Sequence, residues 1–149
     1  MRIQQLHPTT EHPEQAERTY AVVFAAGDDA VAGLERFAAE QKLSAARLTA
    51  IGAFRRATVA FFDLESKEYL PIEVDEQVEV LALVGNVSLA GDEHKVHVHV
   101  VLGRRDGSTV GGHLLAAEVR PTLEVIAVES PGHLRRHHDE ATGLALLEG

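Results

Sequence analysis

The stretch Val96-His97-Val98-His99-Val100-Val101-Leu102 alternates valine with histidine. In a β-strand successive side chains point to opposite faces. His97, His99 and Val101 therefore share one face, and Val96, Val98, Val100 and Leu102 the other. Cα atoms two residues apart stand about 6.6 Å from each other at ~3.3 Å per residue. Two imidazoles at that spacing can lean onto one cation ~2.0–2.1 Å from each nitrogen. His113, in Gly111-Gly112-His113-Leu114, is the candidate third ligand, and the turn between the two segments decides whether it arrives. A two-residue Asp106-Gly107 loop pairs Arg105 with Ser108 and sets His113 opposite Val100, on the valine face. A three-residue loop, Arg105-Asp106-Gly107, pairs Arg104 with Ser108 and sets His113 opposite His99, about 4.5–5.5 Å away. Three-residue loops combine a type I turn with a left-handed residue, usually glycine, and Gly107 stands in that place. The expectation is the three-residue loop, or an equivalent one-residue bulge at Gly111-Gly112. Three imidazoles with an open fourth position suit zinc, and also nickel, copper or iron.

A half-buried strand with histidines on its wet face shows the same alternation, so the third histidine carries the metal reading. His94, His133, His137 and His138 read as surface residues, the last two able to take up metal adventitiously. Glu79 opens an apolar run, and Glu124 lies in Pro121-Thr122-Leu123-Glu124-Val125. A carboxylate in such surroundings must be hydrogen-bonded or paired. Each is a candidate for orienting a ligating histidine or for acid–base work. The plainer alternative pairs them with arginines such as Arg55, Arg56 or Arg120.

Elements must hold these residues in place. Arg18 to Phe24 is β-branched and aromatic and reads as a strand. Asp28 or Asp29 can cap a helix, and Val31, Leu34, Phe37 and Ala38 recur at helical spacing up to about Lys42. The rest is β-rich: Ala46 to Phe54, Ala57 to Asp63, Leu70 to Asp75, Val78 to Val84 ending at a Gly85-Asn86 turn signal, Lys95 to Gly103, Ser108 to Val119, and Leu123 to Val128. Gly143 to Leu147 reads as a short closing strand. One main helix near the N-terminus over a mostly antiparallel sheet is an α+β layer architecture. Residues 1–17 read as a flexible N-terminal arm and residues 18–149 as a single domain.

Composition narrows the chemistry. The chain has 149 residues, one domain's worth. It holds no cysteine, which excludes disulfide scaffolds, Cys-ligated zinc and cysteine nucleophiles. There is no G-x-x-x-x-G-K-[ST], G-x-G-x-x-G or G-x-S-x-G motif. No stretch is apolar enough to cross a membrane, and Met1 to Pro8 lacks a signal-peptide core, so a cytoplasmic location without membrane contact is expected. The net charge of −9 disfavours wholesale phosphate gripping.

The order of Ile51-Gly52-Ala53-Phe54, Glu79 through Asn86, Val96-His97-Val98-His99-Val100, Gly111-Gly112-His113-Leu114, Pro121-Thr122-Leu123-Glu124 and Thr142-Gly143-Leu144 resembles the PPC domain, conserved in plants and prokaryotes. The resemblance runs from about Arg18 to Leu147 and is to the stand-alone prokaryotic type. It implies a β-sheet domain with a helix packed on it, a homotrimer, and a metal at His97, His99 and His113. Plant members join the domain to AT-hooks that bind DNA; this sequence has no Arg-Gly-Arg-Pro hook.

Three functions follow as expectations. The first is a trimeric protein that holds a divalent metal, zinc foremost, and binds a small ligand or protein partner in regulation. The second is a hydrolase-type enzyme using a metal-bound water, with Glu79 or Glu124 as base. The third is DNA binding through Arg55-Arg56, Arg104-Arg105 or Arg135-Arg136, which the charge and the missing hook disfavour.

Overall fold

The computed structural model describes residues 1–6 and 16–148. The elements run β1 (Arg2–Leu6), β2 (Arg18–Ala25), α1 (Ala30–Gln41), β3 (Ala46–Asp63), β4 (Glu68–Val74), β5 (Val78–Ala90), β6 (Glu93–Gly103), β7 (Thr109–Glu129), β8 (Arg136–Asp139) and β9 (Leu144–Leu147). Among the described residues, one helix and antiparallel strands give the expected α+β architecture.

Asp29 caps α1 by accepting a hydrogen bond from the Ala32 backbone N–H at 2.9 Å. Lys42 ends it in a left-handed conformation at φ 53°. The helix buries Leu34, Phe37 and Ala38. Phe37 meets Tyr20 of β2 edge to face, with ring centroids 5.4 Å apart. Gly33 keeps the helix close to the sheet, because a Cβ there would run into the Phe24 ring.

Seven strands form one sheet in the order β1-β2-β7-β6-β5-β3-β4. β7 pairs with β3 as well as with β6, so the ring β3-β5-β6-β7 closes on itself. Val59, Leu83, Val98, Val100, Leu102 and Leu114 belong to one core with the helix residues. The opposite side chains of the same strands face outward, and the histidine cluster belongs to that outer face.

Several expectations need correction. Arg2–Leu6 is not part of a loose arm but an edge strand along β2, from Arg2 opposite Val23 to Leu6 opposite Thr19. The open edge of β2 offers unpaired backbone groups that a short extended segment can satisfy. Residues 7–15 of that arm lie outside the described residues. Gly85-Asn86 is not a turn. β5 runs through it, and Gly85 is needed because a Cβ would collide with the His97 carbonyl. The runs split at Arg55-Arg56 and at Arg120-Pro121 are the single strands β3 and β7. Register shifts between Gly52 and Phe54 and between Phe54 and Arg56 absorb the break in alternation. The closing strand at Leu144–Leu147 is present, and it pairs with β8, for which no strand was expected.

Candidate metal centre

The β6–β7 turn is the three-residue loop. Arg104 N–H donates to Ser108 O at 2.8 Å, and Gly107 N–H to Arg104 O at 3.0 Å. Gly107 takes the left-handed conformation, φ 84°. Asp106 accepts from Ser108 N–H at 2.9 Å and from Ser108 Oγ at 2.6 Å, which stiffens the turn. The resulting register sets His99 opposite His113 and Gly103 opposite Thr109. His113 also faces Ala60 of β3, and His99 faces Val84 of β5.

Three imidazoles converge on the outer face. His97 and His113 are half-buried and His99 is exposed. The ring centroids of His97 and His99 are 5.0 Å apart, those of His97 and His113 5.0 Å, and those of His99 and His113 5.4 Å. The Nε2 atoms of His97 and His99 stand 3.1 Å apart, and one nitrogen from each ring lies within 4.8 Å of the others. Tetrahedral ligands ~2.0–2.1 Å from zinc stand about 3.3 Å from one another, so His97 and His99 already stand at ligand spacing and the three rings could hold a small divalent cation. A second observation agrees. His113 Nδ1 is buried without a hydrogen-bond partner among the described residues, and such an atom is costly unless something binds it.

Burial, reinforced by the neighbouring His113, Arg136 and His99, pushes His97 down to about 4. Burial and His99 lower His113 as well. Both rings are therefore neutral at pH 7, the form that ligates metal. The sign of the pH effect follows. The unfolded histidine takes its proton near 6.5 and the folded one near 4, so the unfolded chain binds the proton first as pH falls. The His97 contribution to the stability of metal-free protein is whole above pH 6.5 and is lost as pH falls toward 4. Urea unfolding of metal-free protein at pH 7 and pH 5 checks this. Wild type is expected to lose more stability over that step than His97→Gln, and equal losses contradict it.

A model of the Plants and Prokaryotes Conserved (PCC) domain matches residues 11–131. The chain belongs to this family. Three relatives place the PCC domain further. A metal-containing protein of Archaeoglobus fulgidus shares 39% identity at TM-score 0.81, over 88% of this chain and 93% of that one. A plant- and prokaryote-conserved (PPC) protein of Pyrococcus horikoshii shares 33% at TM-score 0.83, over 89% and 92%. The bifunctional protein GlmU of Synechococcus sp. (strain JA-3-3Ab) is 34% identical over 134 residues, 88% of this chain. The chain spans 20% of the length of the curated relatives it matches.

The PCC domain does not bring Glu79 or Glu124 to its histidines. Both line a separate cleft of about 510 Å³ with Ile51 and Leu81. Glu79 precedes Val84, the residue opposite His99, by five positions on β5, about 16 Å of strand. Within one chain neither carboxylate can act on a group held by the imidazoles. Two of the expected arginine partners are engaged elsewhere: Arg55 and Arg56 bind Glu118 at 3.0 and 3.1 Å. His133, His137 and His138 are exposed, His133 with its Nδ1 2.6 Å from Ser44 Oγ, whereas His94 is half-buried with its Nδ1 2.6 Å from Leu43 O. Sequence reasoning missed two neighbours of the cluster. The Tyr69 ring stacks on His113 at 4.7 Å, and Arg136 Nη2 lies 3.3 Å from His97 Nδ1. Neither residue stands in a pattern that points at the histidines, since both reach them from other strands of the fold.

Proposed function

We propose that this PCC domain acts as a homotrimer in which each chain holds one divalent cation, zinc by preference of the donor set, on His97, His99 and His113. Its role is to bind a small ligand or protein partner, in regulation. The observation that carries the metal reading is the pairing of His99 with His113 beside His97. A bound cation supplies Lewis acidity at an open coordination position. The relative from Archaeoglobus fulgidus that is described as metal-containing supports the same reading.

Association is favoured by the outer face. Ile51 is 61% exposed, Leu81 53%, Val84 54% and Val101 45%. They lie on β3, β5 and β6, Val84 opposite His99 and Ile51 and Leu81 in the cleft with Glu79 and Glu124, and an apolar belt of this kind marks a subunit contact. Light scattering is expected to give three times the chain mass of 16.1 kDa, and Val84→Asp with Ile51→Asp is expected to reduce it to one. A monomeric wild type at micromolar concentration overturns the trimer.

DNA binding has less support. One of the arginine pairs that suggested it, Arg55-Arg56, is engaged by Glu118, and Arg104 of a second is engaged by Glu76 at 2.9 Å. The cluster that could hold a metal is three histidines without a carboxylate, which leaves the hydrolytic reading without a general base among the described residues of one chain.

A further inference from the structure

β8 carries Arg136 across the outer face to the histidines. Its Nε donates to Ser88 Oγ at 2.7 Å, Nη1 to Ala145 O at 2.7 Å, and Nη2 to Asn86 Oδ1 at 2.8 Å. Nη2 also reaches His97 Nδ1 at 3.3 Å. Arg136 is half-buried, and among the described residues no carboxylate lies within salt-bridge distance of it. Arg47, Arg55, Arg56 and Arg104 each have a glutamate. A sheltered guanidinium without a counter-charge is unfavourable. A divalent cation on the adjoining histidines adds two more positive charges to the same corner.

The hydrogen-bond roles sharpen the point. Guanidinium has donors only, so His97 Nδ1 accepts from Nη2. The neutral ring then keeps its proton on Nε2, directed at His99 Nε2 3.1 Å away. In that tautomer Nε2 has no lone pair for a metal. Ligation through Nε2 shifts the proton to Nδ1, where it confronts another donor. Ligation through Nδ1 takes up the lone pair that Nη2 uses. Either way Nη2 loses His97 as a partner and keeps an N–H beside the cation.

We propose that Arg136 and the loaded metal together form a subsite for the carboxylate or phosphate group of a small molecule, and that metal loading frees the guanidinium N–H that takes it. This rests on the three-histidine metal reading. Tyr69, stacked on His113, sets a phenol beside the same cluster.

The test uses the full chain loaded with cobalt(II), whose visible spectrum reports on ligands at the metal. Inorganic phosphate and acetate are the probes. Wild type is expected to bind one cobalt per chain and to change its spectrum with one or both anions, which tells the phosphate class from the carboxylate class. Arg136→Gln is expected to keep its cobalt and bind the anion about tenfold or more weakly, the range for losing a charge-assisted hydrogen bond. Arg136→Lys, which keeps the charge, is expected to fall between them. An unchanged spectrum in cobalt-loaded wild type overturns the subsite. So does an equal anion response in Arg136→Gln. Failure to bind cobalt overturns the metal reading instead, and the subsite with it. A measurement on wild type alone guards against misfolding of the variants. The ¹⁵N spectrum is expected to show the Arg136 Nε–H resonance moving on metal loading and again on phosphate addition, and a resonance that ignores both overturns the proposal.

Discussion

Replacing His113 with alanine is expected to weaken zinc binding by more than about 100-fold, since loss of a group that merely orients a ligand already costs 10–100-fold and His113 is itself one of the three proposed donors. The fold is expected to survive. His113 Nδ1 has no hydrogen-bond partner among the described residues, so its removal orphans no known partner of that atom. The register around it is held by backbone pairing of β7 to β3 and β6. His138→Ala is the control, because that ring is exposed on β8 and outside the cluster. Competition with a chromophoric chelator measures both. Equal zinc affinity in His113→Ala and His138→Ala contradicts the assignment of His113.

The second large effect is on stability. Glu129, 4% exposed at the end of β7, accepts from Ser44 N–H at 2.8 Å and from Ala45 N–H at 3.1 and 3.2 Å. Ser44 Oγ lies 3.3 Å from the same carboxylate, and the Arg18 guanidinium 3.9 Å away. Glu129→Ala strands two backbone N–H groups in buried positions, at ~1–3 kcal/mol each. A loss of about 3–5 kcal/mol is expected, a large part of a typical domain's stability. Glu129→Gln keeps an oxygen acceptor and is expected to lose less than half of that. The damage is expected to reach the histidine cluster as well. Ser44 O accepts from Leu134 N–H at 2.9 Å, and Leu134 O from Leu89 N–H at 2.8 Å. These bonds tie down the segment that leads into β8 and Arg136. Urea titration of the two variants beside wild type measures the loss, and a shift below about 1 kcal/mol for Glu129→Ala contradicts the role given to the carboxylate.

What was readable in the sequence was local. The Asp29 cap and the Val31, Leu34, Phe37 spacing mark α1, because helix signals lie within a few residues of one another. The His97–His99 face and the Arg105-Asp106-Gly107 loop are likewise near neighbours, and the loop chemistry alone places His113 opposite His99. What was hidden depends on distant segments. Arg55-Arg56 looks like a break, yet bulges and the Glu118 carboxylate across the sheet let β3 continue. Gly85-Asn86 looks like a turn, yet Gly85 is there for the His97 carbonyl of the next strand. Glu79 and Glu124 stood out for their apolar neighbours, and the fold gives them a cleft away from the histidines. Nothing in the sequence singles out Glu129, and Arg136 reads only as half of a basic pair, because their partners, Ser44 and Ala45 for one and Asn86, Ser88 and His97 for the other, are brought to them only by tertiary structure.

The central claim is the three-histidine metal centre, and elemental analysis of untagged protein after gentle dialysis tests it most directly, with wild type beside His97→Ala. The expected result is about one divalent metal per chain in wild type, with zinc foremost, and none retained in the variant. A wild type that holds no metal even after zinc is added back contradicts the claim, and the three histidines then stand as the polar face of a strand.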